Sequence, residues 1–383
     1  MDKKIILLPL LAVLFLVAGC TGAGTGKTSG STPVQSAPGA AVKTTPSTPS
    51  APAQTITLTG AGSTFIYPLM SKWSYVYNKL NNVKINYASI GSGGGIRQIV
   101  VKTVDFGATD APLQSYGYSH IHGALTIPES IGGVTLSYNL PGIGKGLKLT
   151  GDVIADIYLG KITKWNDKRI TAQNPGVNLP DKSIMVVHRS DGSGTTFTFS
   201  DYLSSVSATW KEKVGKGKSL SWPVGLGGKG NEGVAGLVRQ NPYSIGYVEL
   251  AYVMQNNMTD AMVKNKAGNY VLPSLDTVKA DAAGVTLPKG DGIWSNVSIV
   301  NAPGKNAYPI STFTYIVEYP DLSVLPDMTE AKAKALVGFM WWMVHDGQKY
   351  APGLLYVPLP DKVVKIDEET IKLIKYKGQP VLR

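Results

Sequence analysis

Three short loops carry residue types suited to holding an oxyanion: Gly60-Ala61-Gly62-Ser63-Thr64-Phe65, Gly91-Ser92-Gly93-Gly94-Gly95 and Arg189-Ser190-Asp191-Gly192-Ser193-Gly194-Thr195. Each runs into an apolar pattern at helical spacing: Leu69, Trp73, Val76, Tyr77 and Leu80 after the first, Ile96, Ile99 and Val100 after the second, Phe199, Tyr202 and Leu203 after the third. A helix start leaves up to four backbone N–H groups without partners and carries roughly half a positive charge. Glycine lets a ligand approach that backbone, and Ser or Thr either caps the helix or donates its hydroxyl. Taken singly, Thr64, Ser92 and Ser193 read as ordinary caps. Three such loops in one chain, with Arg189 four residues before Ser193, point to helix ends converging on a small anion, because a guanidinium fork matches phosphate or carboxylate geometry. Asp110 closes a short apolar run, Val104 to Pro112, that follows the second helix.

The elements that must position these loops alternate between strand and helix. Ile56–Thr59, Val83–Tyr87, Asp105–Ala108, Ile184–His188 and Tyr315–Val317 read as strands, with helices expected over 65–80 and 93–102. That alternation predicts an α/β fold with a largely parallel sheet, whose ligands sit off the carboxyl ends of the strands. Ser92, Asp110 and Arg189 all fall just past such junctions. The greasy run Phe339–Val344 lies in a helical pattern opened by Asp327-Met328-Thr329-Glu330 and closed near Gly347, which makes it a core helix rather than a membrane span.

The N-terminus reads as an export signal over residues 1–19, with Lys3 and Lys4 before an apolar stretch from Ile5 to Val17. The chain's single cysteine, Cys20, follows Ala18 and Gly19 and resembles a lipobox cysteine, cut and lipidated at that point. One cysteine forms no internal disulfide, so the folded part must stand on its core. Residues 20–54 are almost entirely Gly, Ser, Thr, Pro, Ala and Val, a composition that reads as a disordered tether. About 330 residues remain, enough for two domains. The chain carries a formal charge of +11; the signal's +1 and the tether's Lys27 and Lys43 account for three of these, leaving +8 on residues 55–383. Scattered positive charge of that size steers anions. With no run of five or six Lys or Arg, it argues against nucleic acid as the partner.

Several motifs mimic other chemistries. Gly225, Gly227 and Gly230 fit the spacing G-x-G-x-x-G of dinucleotide-binding turns, but Ser221-Trp222-Pro223-Val224 before them contains a proline and does not read as a central strand. Asp191-Gly192-Ser193-Gly194 approaches a serine-hydrolase elbow, yet that motif needs glycine where Asp191 stands. The four histidines (His120, His122, His188 and His345) have no spacing that suits a metal site, so no metal and no cofactor is expected.

Seven stretches in order resemble the periplasmic phosphate-binding proteins of phosphate-specific ABC importers: Thr59–Phe65, Ile90–Gly95, Val104–Leu113, Asp156–Ile162 with Trp165-Asn166, Arg189–Thr195, Gly225–Gly233 and Ile245–Glu249. The resemblance runs from about residue 55 to 320 and is thin beyond. It implies a two-domain periplasmic-binding-protein fold, a Venus flytrap with the ligand cleft between domains: 55–138 and 309–383 forming domain I, 139–308 domain II, and crossovers near Ser137–Asn139 and Tyr308–Pro309. It also implies a phosphate cage without metal. In it Thr64 and Phe65 donate backbone N–H groups, Thr64 and Ser92 their hydroxyls, Arg189 the positive charge, and Ser193, Gly194 and Thr195 a third donor cluster. Asp110 would be the sole acceptor, with Asp191 holding Arg189 from beside the site. The implied role is high-affinity extracytoplasmic capture of inorganic phosphate by a monomer, tethered to the cell membrane through lipidated Cys20, and delivery to an ABC permease. The resemblance implies a binding protein rather than an enzyme; an extracytoplasmic phosphatase using Ser193 or Thr64 as nucleophile, or a phosphate-sensing module, is the alternative on the same scaffold.

Overall fold

The computed structural model describes residues 55–113 and 123–382. The expected signal 1–19, the tether 20–54, Cys20, His120 and His122 lie outside the described residues. The first half begins with β1 (Ile56–Gly62), α1 (Tyr67–Asn81), β2 (Val83–Ser89), α2 (Ser92–Val100) and β3 (Phe106–Thr109). Helix α1 buries Leu69, Met70, Trp73 and Tyr77, a one-sided set at helical spacing, and ends at Asn82 in a left-handed conformation. A long strand, β4 (Leu125–Asn139), then crosses to β5 (Lys148–Leu149), α3 (Gly151–Tyr158) and α4 (Lys168–Thr171). The second half continues with β6 (Met185–Arg189), α5 (Gly194–Val206), α6 (Ala208–Lys213), β7 (Leu226–Gly228), α7 (Gly230–Gln240), β8 (Ser244–Glu249) and α8 (Leu250–Gln255). After β9 (Thr259–Asp260), β10 (Met262–Lys264), β11 (Tyr270–Val271) and α9 (Leu275–Ala282), the chain returns through β12 (Ser311–Glu318), α10 (Glu330–Val344) and α11 (Asp361–Lys372) and ends in the small hairpin β13 (Lys375–Tyr376) and β14 (Gln379–Pro380).

The main sheet runs in the order β2-β1-β3-β12-β4-β8-β6-β7, with β9 also paired to β4. Two parallel groups stand at its ends, β2-β1-β3 and β8-β6-β7. Between them β12 runs antiparallel to β3 and β4, and β4 antiparallel to β8. The sheet is therefore mixed, not largely parallel as the alternation suggested. A parallel neighbour needs a crossover that brings the chain back to the same edge. β4 leaves the first half and enters the second without returning, so its partners oppose it.

β4 pairs with β12 from Leu125 to Gly133 and with β8 from Val134 to Asn139. At the change of partner the Val134 N–H donates to Ile310 O at 2.7 Å, and the Tyr308 hydroxyl donates to Val134 O at 2.9 Å. Ser137–Asn139 thus sits within the β4–β8 pairing, while Tyr308 and Ile310 stand beside the switch. Helix α10 starts at Thr329, whose hydroxyl accepts from Lys332 N at 3.2 Å, and buries Phe339, Met340, Met343 and Val344. Among the described residues no helix is long and apolar enough to cross a membrane.

Candidate functional site

Because β1, β2 and β3 are parallel, their carboxyl ends open at one edge, and past them stand Ser63–Phe65, Gly91–Ser92 and Asp110. β6, β7 and β8 likewise end together, leading into Arg189–Thr195, Gly230–Asn231 and Glu249. The two loop clusters meet. Gly93 N donates to Gly192 O at 2.8 Å, Gly194 N to Ser92 Oγ at 3.2 Å, and Asn231 reaches Thr64 Oγ1 through its backbone N–H at 3.1 Å and its side-chain amide at 2.9 Å. Glycine is what permits this approach. A Cβ on Gly194 would lie 2.6 Å from that of Asp110, and one on Gly91, whose φ is +82°, would lie 2.1 Å from Asp191 Oδ2. Thr64, Phe65, Ser92, Asp110, Arg189, Ser193, Gly194 and Thr195 all gather at this seam, and all are buried.

On the second-half side, Arg189 ends β6 with its side chain only 1% exposed. Asp191 grips it with both oxygens, accepting from Nε at 2.8 Å and from Nη2 at 2.6 Å, which is fork-to-fork pairing. Burial works against the charged Asp191, but the bonds and charge of Arg189 hold its carboxyl below the usual range. Arg189 Nη1 remains directed at Thr195 Oγ1, at 3.3 Å. Ser193 is the cap of α5: its hydroxyl accepts from Thr196 N at 3.0 Å and its own N–H donates to Lys218 O at 2.9 Å. Its plain capping role is thus real, whereas Gly91, not Ser92, precedes α2, and Ile66, not Thr64, precedes α1. In the first loop the local cap is Ser63, whose hydroxyl accepts from Phe65 N at 2.9 Å.

On the first-half side, Asp110 is buried among hydroxyls. It accepts from Ser63 Oγ in a short bond, from Ser92 Oγ at 3.3 Å and from Thr314 Oγ1 at 3.2 Å. Burial pushes its carboxyl up to about 6, although the Ser63 bond, the charge of Arg189 and the Thr314 and Ser92 bonds all pull it down. Behind it, Thr314 Oγ1 also lies 2.9 Å from Oε1 of Glu129, a fully buried acid on β4.

Sequence reasoning missed four residues of this network. Ser63 and Asn231 lay in stretches already singled out, Asn231 just after the glycines Gly225, Gly227 and Gly230. Those glycines do not all sit in one strand-to-helix turn as in dinucleotide sites: Gly225 precedes β7, Gly227 lies within it, and only Gly230 opens α7. The loop instead delivers Asn231, whose amide spans Thr64 and, at 3.2 Å, Thr195. Thr314 and Glu129 gave no local signal, since β12 and β4 look like core strands. His188 stacks on Trp222 with ring centroids 4.7 Å apart, and its Nδ1 faces Arg189 O at 3.0 Å. No cluster of three or more His, Cys, Asp or Glu among the described residues is placed to hold a metal.

The sequence matches the PBP superfamily domain over residues 38–346. It is 49% identical over 320 residues to the phosphate-binding protein PstS of Xylella fastidiosa (strain Temecula1), covering 82% of this chain and 84% of that one. It is 38% identical over 386 residues to the phosphate-binding protein PstS of Methanocaldococcus jannaschii, covering 96% and 94%. Among solved structures, a high-affinity periplasmic phosphate-binding protein bound with phosphate (PfluDING) shares the fold with a TM-score of 0.63 at 19% identity, over 81% of this chain and 92% of that one. With its two groups of parallel strands, its shared central strand and these relatives, the chain belongs to the PBP superfamily and, within it, to the PstS phosphate-binding protein family.

Proposed function

We propose that this chain binds one inorganic phosphate ion at the seam and delivers it to the membrane permease of an ABC importer. The observation that carries this reading is the convergence of Thr64, Phe65, Ser92, Arg189, Ser193, Gly194 and Thr195 on a buried seam whose acceptor is Asp110. Phosphate would exchange the hydrogen bonds that Ser92, Asp110 and Gly194 make to one another for bonds to its own oxygens. Arg189 supplies the cation, already oriented by Asp191. Inorganic phosphate near neutral pH still carries a proton for Asp110, because its last proton leaves only at strongly alkaline pH. Sulfate at that pH has none and would set two negative oxygens against each other. Donor–acceptor pairs of this kind discriminate by about 10⁴–10⁵.

Closure of one half on the other about the β4 switch at Val134 and the return near Tyr308–Ile310 would assemble the cage, with 55–138 and 309–383 as one domain and 139–308 as the other. The PstS names of the relatives support the transport role. Cys20 would carry the lipid that tethers a monomeric receptor outside the cell membrane, after removal of residues 1–19. Binding without hydrolysis is favoured because Ser193 Oγ is committed to capping. Neither His188 nor His345 is hydrogen-bonded to Ser193 Oγ: His188 Nδ1 faces Arg189 O, and His345 faces Trp341 O and Glu368.

Calorimetric titration of the refolded, phosphate-stripped protein tests this directly. One-to-one binding of phosphate at micromolar concentration or below is expected, with sulfate silent and no turnover of a chromogenic phosphoester. Asp110→Asn should bind sulfate measurably; a variant that still ignores sulfate at high concentration would remove Asp110 from the selectivity argument.

A further inference from the structure

Glu129 sits on β4 behind the anion site, with Oε1 at 2.9 Å from Thr314 Oγ1 and Oε2 without any hydrogen-bond partner. The same Thr314 oxygen lies 3.2 Å from Asp110 Oδ1. One hydroxyl has one proton to give. If both carboxyls were ionised, one of them would face a lone pair of Thr314 across an ordinary hydrogen-bond distance. Three heavy atoms in this line need a second proton, and it must reside on one of the two acids. Asp110 has Ser63, Ser92 and the charge of Arg189 to support its ionised form. Glu129 has neither a cation nor a second donor. A buried charge without such partners is far costlier than a buried neutral acid.

We propose that Glu129 carries this proton at neutral pH and donates it to Thr314, so that Thr314 in turn donates to Asp110 and fixes it as a bare acceptor for the bound anion. Glu129 is thereby a positioning residue acting through Thr314, and this rests on the reading of Asp110 as the acceptor of phosphate. Loss of the proton would reverse Thr314, withdraw one donor from Asp110 and place a second negative charge behind the anion. Burial pushes the Glu129 carboxyl up to about 8, the Thr314 bond pulling it down and the charge of Asp110 raising it further. The titratable groups that feel Glu129 are Asp110 and Tyr87. Other acids on elements packed against β4, namely Glu249 before α8, Asp260 on β9, Asp281 on α9, Glu318 on β12 and Asp367 on α11, are buried and pushed up by burial as well.

Those neighbours make a difference measurement necessary. Infrared spectra of the wild type minus Glu129→Gln should show a protonated-carboxyl band at pH 7 that is gone at about pH 9.5. In parallel, phosphate titrations across that range should show wild-type affinity about tenfold weaker at pH 9 than at pH 7, because only the protonated fraction is competent. Glu129→Gln keeps a donor for Thr314 and cannot ionise, so its profile should lack that fall. No band at pH 7, or the same alkaline fall in both proteins, overturns the proposal. Should that variant not fold, Thr314→Val takes its place: removing the acceptor of the Glu129 proton should shift the band at pH 7, and an unshifted band overturns the proposal. Phosphate silent at every pH would refute the phosphate reading and with it the role at the anion, while the band would still show where the proton lies.

Discussion

The two sides of the seam solve opposite electrostatic problems by different means. On the second-half side a buried cation, Arg189, is neutralised by Asp191 two residues away, in a bidentate pair of 2.8 and 2.6 Å. On the first-half side a buried anion, Asp110, has no ion-pair partner among the described residues and rests on three hydroxyls from three segments, Ser63, Ser92 and Thr314. The cation is thus held in a fixed state by local chain geometry, whereas the acid is left within reach of titration near neutral pH. A receptor for an anion that brings its own proton gains from this arrangement. On the reading proposed above, the positive charge would attract and orient the anion, and the negative one would test whether it carries a proton.

The comparison breaks most visibly at Arg189. Arg189→Ala removes the charge and strands Asp191, and truncating one member of a buried charge pair costs roughly 2–5 kcal/mol. Phosphate affinity should fall at least a hundredfold by calorimetry, and Arg189→Lys should recover only part of it, since an ammonium keeps the charge without the fork. A variant bound as tightly as the wild type would show that the cation is structural alone.

On the acidic side the effect is a pH dependence of stability. The folded Glu129 carboxyl titrates at about 8 against an ordinary 4.5. Between those values the native state holds a proton that the unfolded chain has released, so Glu129 lowers stability as pH rises through that window and adds no further change above it. Urea unfolding of the wild type and Glu129→Gln at pH 5 and pH 9 should therefore diverge, the variant gaining by about 3–5 kcal/mol relative to the wild type. Parallel curves would place an ionised Glu129 in the native state already at pH 5.

The smallest expected change is at Ser193. Its hydroxyl caps α5, and removing such a cap costs about 1 kcal/mol. Ser193→Ala should lower thermal stability by that amount and weaken phosphate binding about threefold, far less than Arg189→Ala. Equal losses from the two variants would mean that the guanidinium does not dominate the second-half side.

Much of this side was legible in the sequence because its chemistry is local. Arg189, Asp191, Ser193 and Thr195 lie within seven residues, and the helix that follows them is marked by Phe199, Tyr202 and Leu203. β1, β2, β3 and β6 were visible as apolar runs, though each extends or shifts by a residue or more. The mixed sheet was not visible, because strand direction depends on where the chain returns. β4 was hidden for a second reason. Its sequence, LTIPESIGGVTLSYN, is buried along almost its whole length, and its alternation of apolar and polar positions, clear from Val134 to Asn139, is broken before that by Pro128, Glu129-Ser130 and Gly132-Gly133.

The sequence by itself determined the donors, the cation with its partner, and the glycines that let two backbones touch. Only the tertiary structure decided which charges those donors meet. Thr314 and Asp110 are 204 residues apart, Glu129 and Thr314 185, and Asn231 and Thr64 167. The protonation of a carboxyl follows from how much water and how many donors surround it, and both are set by segments that come together only when β4 and β12 pair beneath the seam.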